Sequence, residues 1–184
     1  MKAKRILKII AWVLGILGVI IISVVGFVYI KFHDQLEKDL EKYPNYIGYI
    51  NPDKAHLNEA FELCDNGRIY GTHHGLPKEA FAISKKHFRN AILSEYKSES
   101  YSDSGYLNFR FLVNCEGKAG RFEINELNLD LEEIDLNDQM VKELLNLTAL
   151  ETHWATFYIN GEPKNYYMYI LYRIENGKII EILP

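Results

Sequence analysis

The sequence predicts an α+β domain carried behind an N-terminal transmembrane helix and a short stalk, with helices packed on one face of a mainly antiparallel sheet. Three observations lead there. Residues 9–30 form an unbroken uncharged run. Beyond them, stripes of helical period and runs of strand period follow one another as helix, strand, strand, helix, strand, strand. Asn-Gly pairs at 160–161 and 176–177 supply tight turns, because both central residues of a type I′ turn need positive φ.

The N-terminus comes first. Lys2, Lys4, Arg5 and Lys8 make residues 1–8 a basic segment, and the run that follows is ~33 Å long as a helix, about the thickness of a bilayer core. Trp12 and Tyr29 sit near its ends, where amphipathic aromatics favour the headgroup region. Positive charge ahead of the run predicts a cytoplasmic N-terminus and a domain on the far side of the membrane. A cleaved signal peptide is the competing reading, but the run is long for a signal core and no A-x-A site follows it. Residues 31–76 read as stalk and pre-domain segment, with Phe32–Tyr43 continuing the helix and residues 54–64 forming another short one. Net charge is −4 over 184 residues and no basic stripe follows residue 8, so nucleic acid is not an expected partner.

Residues 77–184 read as the domain. Pro77 suits a first helical turn, and Phe81, Ser84, Phe88, Ile92 and Tyr96 share one stripe at spacings of three or four. Ser104, in the Ser102–Gly105 loop, is a turn residue. Leu107, Phe109, Phe111 and Val113 then alternate with Asn108, Arg110 and Leu112, as in a strand with one face on a core. Residues 116–120 turn the chain, and Phe122 and Ile124 continue the inward face. By the same parity Cys115 points inward. The acidic run 130–135 leads to a helix whose face is Val141, Leu144, Leu145 and Thr148. A long aromatic strand, KNYYMYILYRI, and its partner KIIEIL close the chain.

Several of these features resemble the C-terminal domain of TonB-type proteins: FLVNCEGKAG, the helix around 141–147, His153-Trp154, the NGEP turn at 160–163 and YYMYILYRI. The likeness spans roughly residues 78–174. The chain is also similar to small membrane-anchored proteins of Bacteroidetes-type bacteria, which share the SDSGYL, NCEG and YRIENGKIIEILP style of ending. The resemblance implies a TonB-C-like fold in a Gram-negative periplasm, anchored to the inner membrane. It further implies a role in passing inner-membrane energy to outer-membrane transporters by strand addition. The membrane run holds Ser23 but no ionisable residue, and residues 31–62 reach at most ~110 Å extended. The leading expectation is therefore a non-enzymatic, membrane-anchored periplasmic module for an envelope protein or peptide. An energy-transducing component of outer-membrane transport is the alternative, and a small enzyme or ligand-binding domain the third reading.

Chemical motifs are sparse. His73-His74, with His56 and His87, invite a metal reading, but neighbours on a strand face opposite ways and no HExxH or CxxC spacing occurs. No G-x-S-x-G, phosphate loop or nucleophile–base pair is present, and Glu123 and Glu126 lie at mixed parity, so neither catalytic residue nor cofactor is expected. Tyr167 and Tyr169 share one strand face and form the candidate partner-binding surface, with simple packing as the competing reading. Cys64 and Cys115 are the only cysteines, both beyond the membrane run. A bridge between them is expected in an oxidising compartment, against the alternative of two buried thiols.

Overall fold

The computed structural model describes residues 2–36, 50–64, 68–71 and 81–183. They belong to two compact units, Met1–Ile47 and Gly48–Pro184. In the first, α1 runs Lys2–Leu36. Its stretch Ile10–Ile30 is long and apolar enough to cross a membrane, and its aliphatic side chains are exposed on all sides. The stalk beyond Leu36, and His73, His74 and Pro77, lie outside the described residues.

The second unit is a mixed six-stranded sheet with two helices. Its centre is β5 (Glu162–Glu175), long enough to pair with four other strands. One side of β5 takes β2 (Gly105–Val113) antiparallel, and β3 (Ala119–Leu127) follows on β2. β6 (Lys178–Leu183) and β4 (Phe157–Ile159) also pair antiparallel with β5. The two-residue β1 (Ile69–Tyr70) pairs with it in parallel, which makes the sheet mixed. The hairpin turns follow the sequence expectation: Asn160 and Gly161 sit at φ 52° and 82°, and Asn176 and Gly177 at 48° and 73°.

Both helices lie on one face. α3 (Asp138–Thr148) starts where Asn137 Oδ1 accepts the N–H groups of Gln139 and Met140. It buries Val141, Leu144, Leu145 and Thr148, the stripe read from the sequence, together with Met140. α2 (Lys85–Glu95) begins later than expected, because Ser84 is its N-cap and accepts the His87 N–H. Phe81 precedes that helix and bridges to Trp154. Beneath the helices, Leu107, Phe109, Phe111, Val113 and Phe122 meet Tyr166, Met168, Ile170, Tyr172 and Ile174 in one core. Trp154 closes it, its indole N–H donating to the Thr148 carbonyl.

The other face has a cover of its own. Residues 50–64, expected to hold a short helix, form none. Leu57 takes φ 51°, and His56 exchanges both backbone bonds with Phe122. The segment is an irregular strap, and it belongs with the sheet rather than with the stalk. It contributes Ile50 and Phe61 to a second cluster with Leu112 and Tyr167. A bulge makes room for it. Arg110 pairs with Glu123 and Leu112 with Gly120, so two β3 residues stand opposite Phe111, and Arg121 adopts φ 50°. Arg121 then serves the strap, donating from its backbone to Leu57 and from Nε to Asn58 Oδ1. Phe122 turns to the helix side and stacks on Phe111 at 4.5 Å.

The sulfurs of Cys64 and Cys115 lie at bonding distance, with Cα atoms 5.9 Å apart and a sequence separation of 51. Loop closure of that length contributes about 4 kcal/mol in the chain-entropy picture. Cys115 is half-buried rather than enclosed in the main core. It sits past the end of β2, where strand alternation no longer sets direction.

The Phe61 ring lies so close to Gly120 that an added Cβ would come within 2.3 Å of it. Gly120→Ala is expected to destabilise the domain by about 1–3 kcal/mol through overpacking. In Phe61→Ala/Gly120→Ala the cost of the alanine at 120 should fall by more than half, because the ring it strikes is gone. Urea unfolding of the four proteins in the cycle measures this coupling, and additive costs would exclude it.

Candidate functional site

The sheet has two outer strands long enough to receive another chain, and they differ. β3 is closed at both ends. His56 and Leu57 take the backbone groups of Phe122 and Arg121 at one end, and Glu132 and Ile134 bond Asn128 and Glu126 at the other. β6 pairs only with β5 among the described residues, which leaves its outer row of N–H and C=O groups open. Its side chains are mostly exposed, with Ile180 at 40% and Leu183 at 48%. The register slips between Arg173 and Ile174, with Arg173 opposite Glu181 and Ile174 opposite Ile179, so Ile180 is the extra residue of a bulge. Lys178, Glu181 and that bulge guard the edge against indiscriminate pairing.

Behind this edge lies the sheet face opposite the helices. Alternation puts Tyr167 and Tyr169 on it together, as the sequence implies, but their surroundings separate them. Tyr169 is 41% exposed and Tyr167 only 2%, because the strap covers one and stops short of the other. Leu171, opposite Leu183, and Arg173, opposite Glu181, extend the half-exposed part of the face towards β6. The candidate surface is thus Tyr169, Leu171, Leu183 and the β6 edge. Tyr167 belongs to the covered part.

Under the strap lies a charged group that the sequence did not single out. Arg110, 5% exposed, donates from Nε to the Tyr167 hydroxyl at 2.8 Å and from an Nη to Glu123 Oε1 at 2.8 Å. Burial raises the Tyr167 hydroxyl above its usual range, and the Arg110 bond opposes that shift. Glu123 is thereby committed to an ion pair. Glu126 accepts the Leu136 N–H at 2.7 Å, and burial raises its carboxyl while this bond lowers it. The two carboxylates serve separate structural bonds rather than one site.

The histidines are equally dispersed. His56 is exposed on the strap, and His87 Nδ1 lies 2.8 Å from Ser84 Oγ at the start of α2. No metal-binding group of His, Cys, Asp and Glu forms among the described residues. His153, which sequence reasoning took only as part of a motif, is buried edge-on against Phe88 at 5.0 Å, with Nδ1 unpartnered. Burial lowers its pKa. Ser104, expected as a turn residue, accepts the Asn176 N–H and so holds the β5–β6 turn. Gly177 donates its N–H to the Asp103 carbonyl and accepts from the Tyr96 hydroxyl. Hydrogen bonding to Glu143, with burial, pushes the Tyr101 hydroxyl up to about 12. These bonds fix where β6 begins.

No family model matches the chain, and no curated protein or solved structure is similar to it.

Two measurements test this geometry. Arg110→Met should cost about 1–3 kcal/mol in urea unfolding, by leaving the Tyr167 hydroxyl and the Glu123 carboxylate without their donors. Glu123, at 26% side-chain exposure, regains part of that from water. Arg110→Lys should restore only a fraction, because an ammonium lacks the planar fork. The second concerns His153. Its folded-state pKa lies below the unfolded value near 6.5, so the neutral ring contributes stability above pH 6.5. That contribution falls as pH drops through 6.5 towards the lowered folded-state pKa, and His153→Gln should flatten this part of the stability–pH curve. An unchanged slope would exclude the assignment.

Proposed function

We propose that the protein is a membrane-anchored, non-enzymatic interaction module of the bacterial envelope, which binds an extended protein segment by adding it as a strand to β6. In this reading α1 spans the inner membrane with its basic end in the cytoplasm, and the domain stands in the periplasm. The observation that carries it is the contrast between the two edges: β3 is closed at both ends by the chain itself, and β6 is left open among the described residues. Main-chain bonds along β6 would supply affinity, and the side chains of Tyr169, Leu171 and Leu183 would select sequence. The guarding charges and bulge suit an edge that accepts one partner and rejects others.

A proline can separate edge from fold. Lys178 closes the two-residue turn with Glu175, so its backbone groups point inward and those of Ile179 point outward. Ile179→Pro should therefore remove an outward donor without breaking the β5–β6 ladder. With a photo-crosslinking residue at position 180 in cells, a discrete protein adduct is expected. It should vanish with Ile179→Pro and be absent when the crosslinker replaces the exposed Leu93 of α2. The same adducts from both positions, or indifference to the proline, would overturn the reading.

A further inference from the structure

We propose that the Cys64–Cys115 bond is a latch on the strap: its reduction frees residues 50–64 from the sheet and uncovers Leu112, Tyr167 and Arg110, while the helix-side core stays folded. The division of the interior carries this. The strap contributes Ile50 and Phe61 to the small cluster with Leu112 and Tyr167, and no residue to the large one between the sheet and the helices. Loss of the strap therefore removes no apolar side chain from the main core, and takes from it only the backbone bonds of Phe122 to His56.

The strap is also fastened lightly apart from the bond. It has no helix or strand of its own, only turns and one isolated bridge. His56 and Leu57 make three backbone bonds to β3. Asn114 Nδ2 reaches the Glu62 carbonyl, and the Asn165 amide bonds both the N–H and the C=O of Cys64. Arg121 Nε adds one charged donor, to Asn58 Oδ1, and the other bonds are neutral and exchange with water at small net cost. The disulfide is different in kind, since it ties the strap's end covalently to the β2–β3 turn, whereas β1 five residues on offers only a two-residue pairing with β5. Both cysteines are half-buried, so a small dithiol can reach them.

The chemistry is ordinary exchange. A dithiol thiolate attacks one sulfur to give a mixed disulfide, and its second thiol resolves it. The dithiol leaves as a cyclic disulfide, and two electrons and two protons remain with Cys64 and Cys115 as thiols. With the strap released, the covered half of the face becomes continuous with Tyr169.

Hydrogen exchange on the full chain in detergent micelles tests the latch, with dithiothreitol as the dithiol. Alkylation and mass measurement should find two new thiols on folded protein. Amides of the strap, His56 and Cys64 above all, should then exchange at least tenfold faster. Those of β2 and β5 should be unchanged. Cys64→Ser/Cys115→Ser should show the same pattern without reductant. Failure of dithiothreitol to reduce the folded protein, strap amides that stay protected after reduction, or equal loss of protection in β2 and β5 would each overturn the proposal.

Discussion

Between β2 and β5 the antiparallel register runs unbroken from Gly105 opposite Ile174 to Val113 opposite Tyr166. A slip of one residue would turn one of the two strands over relative to the other. It would take from the helices either Phe109 and Phe111 or Ile170 and Tyr172, and from the strap either Leu112 or Tyr167. Each side of the sheet is committed to a different cover, and that commitment fixes the register. The position of every other strand follows, because β3 hangs on β2 while β1, β4 and β6 hang on β5.

The two covers are built from different chemistry. The helix side is almost wholly apolar and aromatic, with Thr148 satisfied inside it by the Leu144 carbonyl and the Tyr172 hydroxyl. The strap side mixes aliphatic burial with an ionic group, Arg110 between Tyr167 and Glu123. A guanidinium at this depth needs partners of fixed geometry, and those partners lie on β3 and β5, on either side of its own strand. The polar group therefore ties three strands laterally, at a place where the strap alone gives little cohesion.

Much of the fold was legible in the chain. The uncharged run, the α3 stripe, the alternation from Leu107 to Val113 and both Asn-Gly turns follow from local chemistry, and each appears where that chemistry puts it. What was not legible depended on distant partners. The strap reads as a helix because Leu57, Phe61 and Cys64 have helical spacing, and only the bridge to Phe122 overrules it. β1 is two residues long and exists only because β5 offers an edge. Parity put Tyr167 and Tyr169 on one face correctly, but exposure was set by a segment more than one hundred positions earlier in sequence. Arg110 was passed over as the polar half of an alternation, since nothing local distinguishes a buried arginine from a solvated one. The open edge of β6 was similarly hidden, because openness is a property of what fails to pair with a strand.

The disulfide also redraws how force would travel through this molecule. The chain enters the domain at the strap, so any tension drawn from the N-terminal side arrives first at residues 50–64. At Cys64 it meets a covalent junction to Cys115 and passes straight into the β2–β3 turn, bypassing the fifty-odd residues between. From there it spreads as shear along the register of β2 against β5, the geometry in which many hydrogen bonds resist together. The strap's own contacts lie at or before Cys64 and yield first in either case, and without the junction the pull would go on to the two-residue pairing of β1 with β5. A bond that looks like a clasp on a surface segment thus decides which strands of the domain take the load first.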